Sequence, residues 1–275
     1  MMSRLGVWFM GVLARLPLPV LRAMGAALGR VLFVLVVPRR KVALRNLELC
    51  FPQASVEQRT QWARESFIVF CQTWLDRSWL WSAPQSVVEQ RVKLQGAVHE
   101  LDGDVPTIIF APHFYGLDAG GLVLPLRTSR AFTSIFSTHP DPVIDAWFMA
   151  GRQRFGDVRM LNRADGVKPI ISNLRKGGLL YLLSDMDFGA GESIFVPFYG
   201  VPAATVPSLS RFARLGRAKV IGMYTRLTPD GYVAELTPAS QTPRATASLP
   251  DKRSRLAAGA GITAAMGAPV VERKG

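Results

Sequence analysis

Three histidines are the residues of this chain best suited to proton transfer near neutral pH: His99, His113 and His139. His113 has Asp118 five positions on, inside Ala-Pro-His113-Phe-Tyr-Gly-Leu-Asp118, and His99 has Asp104 at the same spacing; His139 has only Ile144. Five steps along a helix turn about 140° net, so neither pair shares a helical face. The spacing makes chemical sense if His113 ends a strand and Asp118 lies in the first turn of the helix that follows. The carboxylate then bonds one imidazole nitrogen and leaves the other as a base. Such a base can take a proton from a reacting group held beside it. His113 is therefore the expected general base and Asp118 its orienting partner. His99 follows no strong apolar strand and precedes Gly103 and Pro106, the pattern of a surface turn.

The elements that must hold this box are legible around it. Residues 107–111 predict a strand and 116–126 a helix, followed by a strand at 131–137 and a helix at 142–155. Short strands at 158–161 and 179–184 flank a helix at 167–175; a helix at 206–215 and strands at 219–225 and 232–236 complete the run. The alternation predicts an α/β domain, a mixed sheet covered by helices. Upstream, residues 39–83 read as helical, with a start near Ser55-Val-Glu-Gln. Trp62, Trp74, Trp79 and Trp81 crowd that stretch as packing residues. There is no Gly-x-Ser-x-Gly elbow, no Gly-rich phosphate loop and no internal repeat. Cys50 and Cys71 have no metal-ligand spacing, and neither a metal nor a cofactor is expected.

Charge distribution points to the partner. The chain carries a net +13, and no acid precedes Glu48, whereas Arg4, Arg15, Arg22, Arg30, Arg39, Arg40, Lys41 and Arg45 do. The same stretch is the most apolar of the chain. Basic and greasy together suit an anionic membrane surface rather than nucleic acid. Pro17 and Pro19 interrupt any single helix, and Arg4, Arg15, Arg22 and Arg30 fall on one side of a helical wheel, where they would face lipid phosphates. The expected organisation is a membrane-associated helical segment over 1–38, an α/β domain over 39–243 and an atypical Ala/Gly-rich tail over 244–275 without aromatic residues.

The order of further blocks carries a resemblance. Asn46-Leu-Glu-Leu-Cys-Phe51-Pro52, the His113/Asp118 box, Gly151-Arg152-Gln-Arg154, Ser184-Asp185-Met-Asp187-Phe-Gly189 and Phe195-Val-Pro197-Phe198-Tyr-Gly200-Val-Pro202-Ala follow one another over roughly residues 35–240. Together they resemble the lipid A biosynthesis late acyltransferases, lauroyl and myristoyl transferases related to glycerolipid acyltransferases. The resemblance implies a glycerolipid-acyltransferase-like fold, an acyl-carrier-protein thioester donor, a lipid A precursor as acceptor and the cytoplasmic face of the inner membrane. It implies that Arg152 or Arg154 binds the phosphorylated sugar or the developing charge. Asp185 and Asp187, with Gly189, would position substrate, and 195–202 would form a loop over the cleft or a packed turn. Met186 stands where the family has Gln, which leaves the choice between Asp185 and Asp187 open. Two rivals remain: a glycerolipid or glycosylated phosphoinositide acyltransferase, and a catalytically inactive membrane-binding scaffold.

Overall fold

The structure is a computed structural model describing residues 2–186, 189, 191 and 193–239; Asp187 and the tail assigned to 244–275 lie outside the described residues. Four helices come first: α1 (Met2–Leu13), α2 (Leu18–Leu35), α3 (Val37–Cys50) and α4 (Val56–Leu80). The breaks fall where the chemistry demands. Pro17 and Pro19 separate α1 from α2, and the Ser55 hydroxyl accepts from the Gln58 N–H to cap α4. Then follow α5 (Gln85–Arg91), β1 (Val92–Gly96), β2 (Thr107–Phe110), α6 (Leu117–Arg127), β3 (Phe132–Phe136), α7 (Pro142–Arg152), β4 (Val158–Asn162), α8 (Lys168–Arg175) and β5 (Leu179–Leu182). The chain continues through β6 (Ile194–Phe198), β7 (Val201–Thr205), α9 (Ser208–Gly216), β8 (Lys219–Thr228) and β9 (Gly231–Leu236).

Seven strands form one sheet in the order β1-β9-β8-β2-β5-β3-β4, parallel throughout except for the β8–β9 hairpin. The mixed α/β sheet expected from the alternating pattern is present. Its central strands β2 and β5 are buried along nearly their whole length, the signature of a parallel sheet covered on both faces. On one face α4, α5 and α6, joined by α1 and α2, pack around Trp79, Leu80, Leu122 and Tyr232. On the other, α8 and α9 cover Ile108, Leu180 and Leu182. The elements that the sequence pattern did not single out are α5, β1 and the β6–β7 hairpin. Prolines at 197 and 202 argue against strand, yet both sit opposite each other in a two-stranded ribbon where the missing N–H costs no central ladder bond. Residues 195–202 thus form a hairpin, not an irregular loop. Its turn places Tyr199 and Gly200 at positive φ (50° and 78°), as a tight right-twisted turn requires.

Helix α2 is two-faced. Leu18, Leu21, Gly25, Gly29 and Phe33 are buried, while Val20, Met24, Leu28, Val31 and Leu35 form an exposed apolar stripe at helical spacing. The buried glycines let α2 lie directly on α4: a Cβ at Gly29 would sit 2.5 Å from the Ile68 Cα. This close packing also turns Arg22 inward, which corrects the expectation that it faces lipid. Its guanidinium meets the fully buried Asp76 carboxylate at 2.8 Å and donates to the Gly231 carbonyl. Asp76 also accepts from the Trp79 indole and the Tyr232 hydroxyl, so one buried acid ties α2, α4 and β9 together. Among the described residues α2 is the one helix long and apolar enough to cross a membrane.

Candidate active site

Parallel register assembles the site. Phe110 at the end of β2 lies directly across from Leu182 at the end of β5. Three residues beyond each come His113 and Asp185, so the two loops deliver them to the same height above neighbouring strands. Adjacent strands lie about 4.8 Å apart, within reach of two short side chains. The His113 Nδ1 lies 2.6 Å from Asp185 Oδ1, and the His113 backbone N–H donates to Oδ2 at 2.8 Å. Both side chains keep about a third of their surface exposed (34% and 30%). Partial burial pushes the Asp185 carboxyl up, but the bonds from the imidazole and backbone of His113 overcome this and hold it below the ordinary carboxylate range. An ionised carboxylate accepts only, so Nδ1 donates to it, and in the neutral ring Nε2 would present the lone pair. The crevice beyond the carboxyl ends of the strands is where open α/β sheets bind ligands.

Asp118 is elsewhere, and this corrects the pairing expected from the five-residue spacing. It does lie in the first turn of α6, as predicted, yet its carboxylate receives Arg77 of α4 at 2.6 Å and Arg152 of α7 at 3.1 Å. Its side chain is 7% exposed. Burial raises the Asp118 carboxyl, and the two guanidiniums together overturn that and hold it below the usual range. One acid thereby clamps three helices beside the histidine. The glycine of Gly151-Arg152 has a steric reason: a Cβ at Gly151 would lie 2.3 Å from the Trp81 ring, so only glycine lets α7 approach closely enough for Arg152 to reach Asp118.

Among the side chains lining a cleft of about 630 Å³ are His113, Asp118, Arg77 and Arg152. Its walls are mainly apolar, with Leu122, Phe132, Ile135, Val158, Met160 and Ile170 among them, and Arg163 and Arg211 add further cations. That volume is typical of a small-ligand site. Arg154 of the same Gly-Arg block points away; its guanidinium donates to the carbonyls of Leu80 and Ala83 at the end of α4 and covers the Phe155 ring. Its work is to tie α7 to α4. Gly189 lies in the exposed segment after β5 at φ 93°, and Asp187 lies outside the described residues. The hairpin tip packs its Tyr199 ring against Phe51, 4.8 Å between centroids, so the Phe-Pro and Phe-Tyr-Gly blocks meet.

Sequence reasoning passed over Arg77, Arg163 and Arg211. Arg77 left a trace, a cation set among the tryptophans at the end of α4; its guanidinium stacks 4.6 Å over Trp74. Arg163 and Arg211 left none.

The chain is similar to known proteins along most of its length. A lipid A biosynthesis acyltransferase of Haemophilus influenzae is 32% identical over 240 residues, 86% of this chain and 75% of that protein. The lipid A biosynthesis myristoyltransferase of Escherichia coli is 31% identical over 209 residues, 75% of this chain and 63% of that protein. The Escherichia coli lauroyltransferase is 27% identical over 82% of this chain and 74% of its own length. Residues 1–255 match the family described as bacterial lipid A biosynthesis acyltransferases, and the chain belongs to that family.

Proposed function

We propose that this enzyme moves a fatty acyl chain from an acyl-carrier-protein thioester to a hydroxyl of a lipid A precursor, at the cytoplasmic face of the inner membrane. The observation that carries the reading is the His113–Asp185 pair at the mouth of an apolar cleft flanked by Arg77 and Arg152. The imidazole Nε2 takes the proton of the acceptor hydroxyl as its oxygen attacks the thioester carbonyl carbon. The tetrahedral intermediate collapses with cleavage of the C–S bond, and the imidazolium returns its proton to the departing thiolate. Asp185 orients the ring and stabilises the imidazolium. Asp118 acts at one remove: it holds Arg77 and Arg152 at the cleft, where two guanidiniums against one carboxylate leave a net positive charge for the oxyanion or a sugar phosphate.

The apolar walls suit an acyl chain, each buried methylene contributing about 0.8 kcal/mol. The exposed apolar stripe of α2, with Trp8 and Phe9 of α1, supports attachment to the bilayer that holds the acceptor. The test is to incubate the purified protein with an acyl-carrier-protein thioester and a lipid A precursor, reading acylated product by mass spectrometry. Product from the parent and its loss in His113→Ala support the reading. Absence of product from a folded, vesicle-bound parent overturns it.

A further inference from the structure

The sheet divides two surfaces of opposite character. On the side of α1 and α2 large apolar residues, among them Trp8, Phe9, Val31 and Leu35, are exposed together with cations such as Arg4 and Arg30. On the far side α8 and α9 pack against each other over the sheet, and their outward positions are cations. Lys168, Arg175 and Lys176 lie on or just after α8, and Arg211, Arg214 and Arg217 on or just after α9; all six are exposed. Neither helix contains an acid. Among the described residues, no carboxylate forms an ion pair with any of the six. Like charges three positions apart, as at Arg211 and Arg214, repel when left uncovered. The face ends at the active cleft: Arg211 lines it, beside Ile170 of α8 and Phe212 of α9.

Two kinds of anionic partner could cover such a face, and the structure separates them. A surface that sits in a bilayer combines cations with large apolar residues. None of the large exposed apolar side chains lies on α8 or α9; on the described surface they gather chiefly on α1, α2, α4 and the loops around His113. A bilayer holding α1 and α2 would also lie across the sheet from α8 and α9. A purely cationic, non-greasy face beside a catalytic cleft fits an acidic protein, attracted over a distance and oriented by charge.

We propose that the α8–α9 face is the docking surface for the acidic carrier protein that brings the acyl thioester, whose thioester arm enters the cleft past Arg211. The inference rests on the donor reading given above and adds its site. The lipid acceptor then approaches from the apolar side and the donor from the cationic side, so the two substrates do not compete for one entrance.

The test reverses charge at three positions that make no structural bond, in the triple variant Lys168→Glu, Lys176→Glu, Arg214→Glu of the full chain. A control triple, Arg30→Glu, Arg39→Glu, Lys41→Glu, changes net charge equally on the N-terminal helices. The expected result for the α8–α9 variant is a KM for the carrier-protein thioester raised at least tenfold, with kcat, melting temperature and vesicle flotation as in the parent. The salt dependence of KM should flatten as well. The control should lose vesicle flotation and keep the parental KM. A parental KM in the α8–α9 variant overturns the docking surface. Equal KM rises in both triples would reduce the effect to net charge, and loss of flotation in the α8–α9 variant would make the face a membrane contact. A parent that yields no product from the carrier thioester overturns the donor reading itself, whereas parental turnover with an indifferent variant overturns only the surface.

Discussion

Two carboxylates stand near one histidine, and they live under different physics. Asp185 is 30% exposed, accepts two bonds from His113 and is held ionised by that one partner. Asp118 is 7% exposed and is held ionised by two guanidiniums drawn from two other helices. The first is placed to respond to chemistry at the imidazole, because its partner changes charge during turnover. The second is placed to keep α4, α6 and α7 in register, because removing it strands two cations at once. A pattern of spacing makes Asp118 the conspicuous residue, while the parallel register of β2 and β5 brings Asp185 to the imidazole. Closeness along the chain and closeness across a sheet are separate facts.

The contrast is broken most severely at the histidine that Asp185 holds. His113→Ala should reduce kcat by about 10²–10⁴-fold, the contribution of a positioned general base, with melting temperature unchanged since the side chain is a third exposed. Turnover near the parental rate in a folded preparation would remove the mechanism. Asp185→Asn comes next. It retains shape but offers the imidazole the wrong partner, so kcat should fall by about 10²-fold or more while KM for both substrates and the melting temperature stay within error. In a double variant the two losses should not add, as expected of groups that act as one unit.

Asp118→Asn should show the reverse profile, with the larger change in stability. Breaking a buried charge pair costs about 3–5 kcal/mol; since Arg152 is 32% exposed the lower end applies, roughly a 6–12 °C fall in melting temperature. Its pH dependence follows from the depressed carboxyl. Stability contributed by Asp118 is fully present above the ordinary carboxylate value of about 3.9 and is lost as pH falls through the lower folded value. Acid unfolding curves of the parent should therefore steepen below about pH 4, and those of Asp118→Asn should be flatter there. Asp118→Asn that melts like the parent and loses only kcat would return this acid to the role that the five-residue spacing first suggested.

How much was readable beforehand follows the same division. Apart from the hairpin at 194–205, strand and helix positions from 107 to 236 emerge from hydrophobic period, because each central strand is buried on both faces and each helix on one. The break before α2 and the Ser55 start of α4 follow from proline and capping chemistry. His113 was legible as a strand-end histidine. Its partner was not, since a 72-residue separation is bridged only once β2 and β5 are known to be neighbours in register. Arg22 misled for a related reason: on a wheel it shares a side with Arg15 and Arg30, but the wheel does not show that Gly25 and Gly29 bring α2 down onto a buried acid. The hairpin at 194–205 was hidden by prolines that a two-stranded ribbon tolerates.

The smallest expected effect sharpens the comparison from the other side. His99 and Asp104 repeat the spacing of His113 and Asp118, so a rule based on spacing alone treats the two histidines alike. Their settings differ: His99 is exposed in the 3-10 turn Val98–Leu101, three residues past β1, which runs opposite to β2 and so ends at the other edge of the sheet. Among the described residues no carboxylate is bonded to its ring. His99→Ala removes no buried surface and no partnered hydrogen bond of its side chain. Its stability should stay within about 0.5 kcal/mol of the parent, as for surface substitutions away from special features. Its kcat and KM should be parental with the same thioester and acceptor that expose the loss in His113→Ala. A loss of turnover comparable to His113→Ala would mean that spacing carries information that register does not, and that the site extends to the far end of β1. Parental kinetics would leave register, and the Asp185 carboxylate it brings to the ring, as what distinguishes His113 from His99.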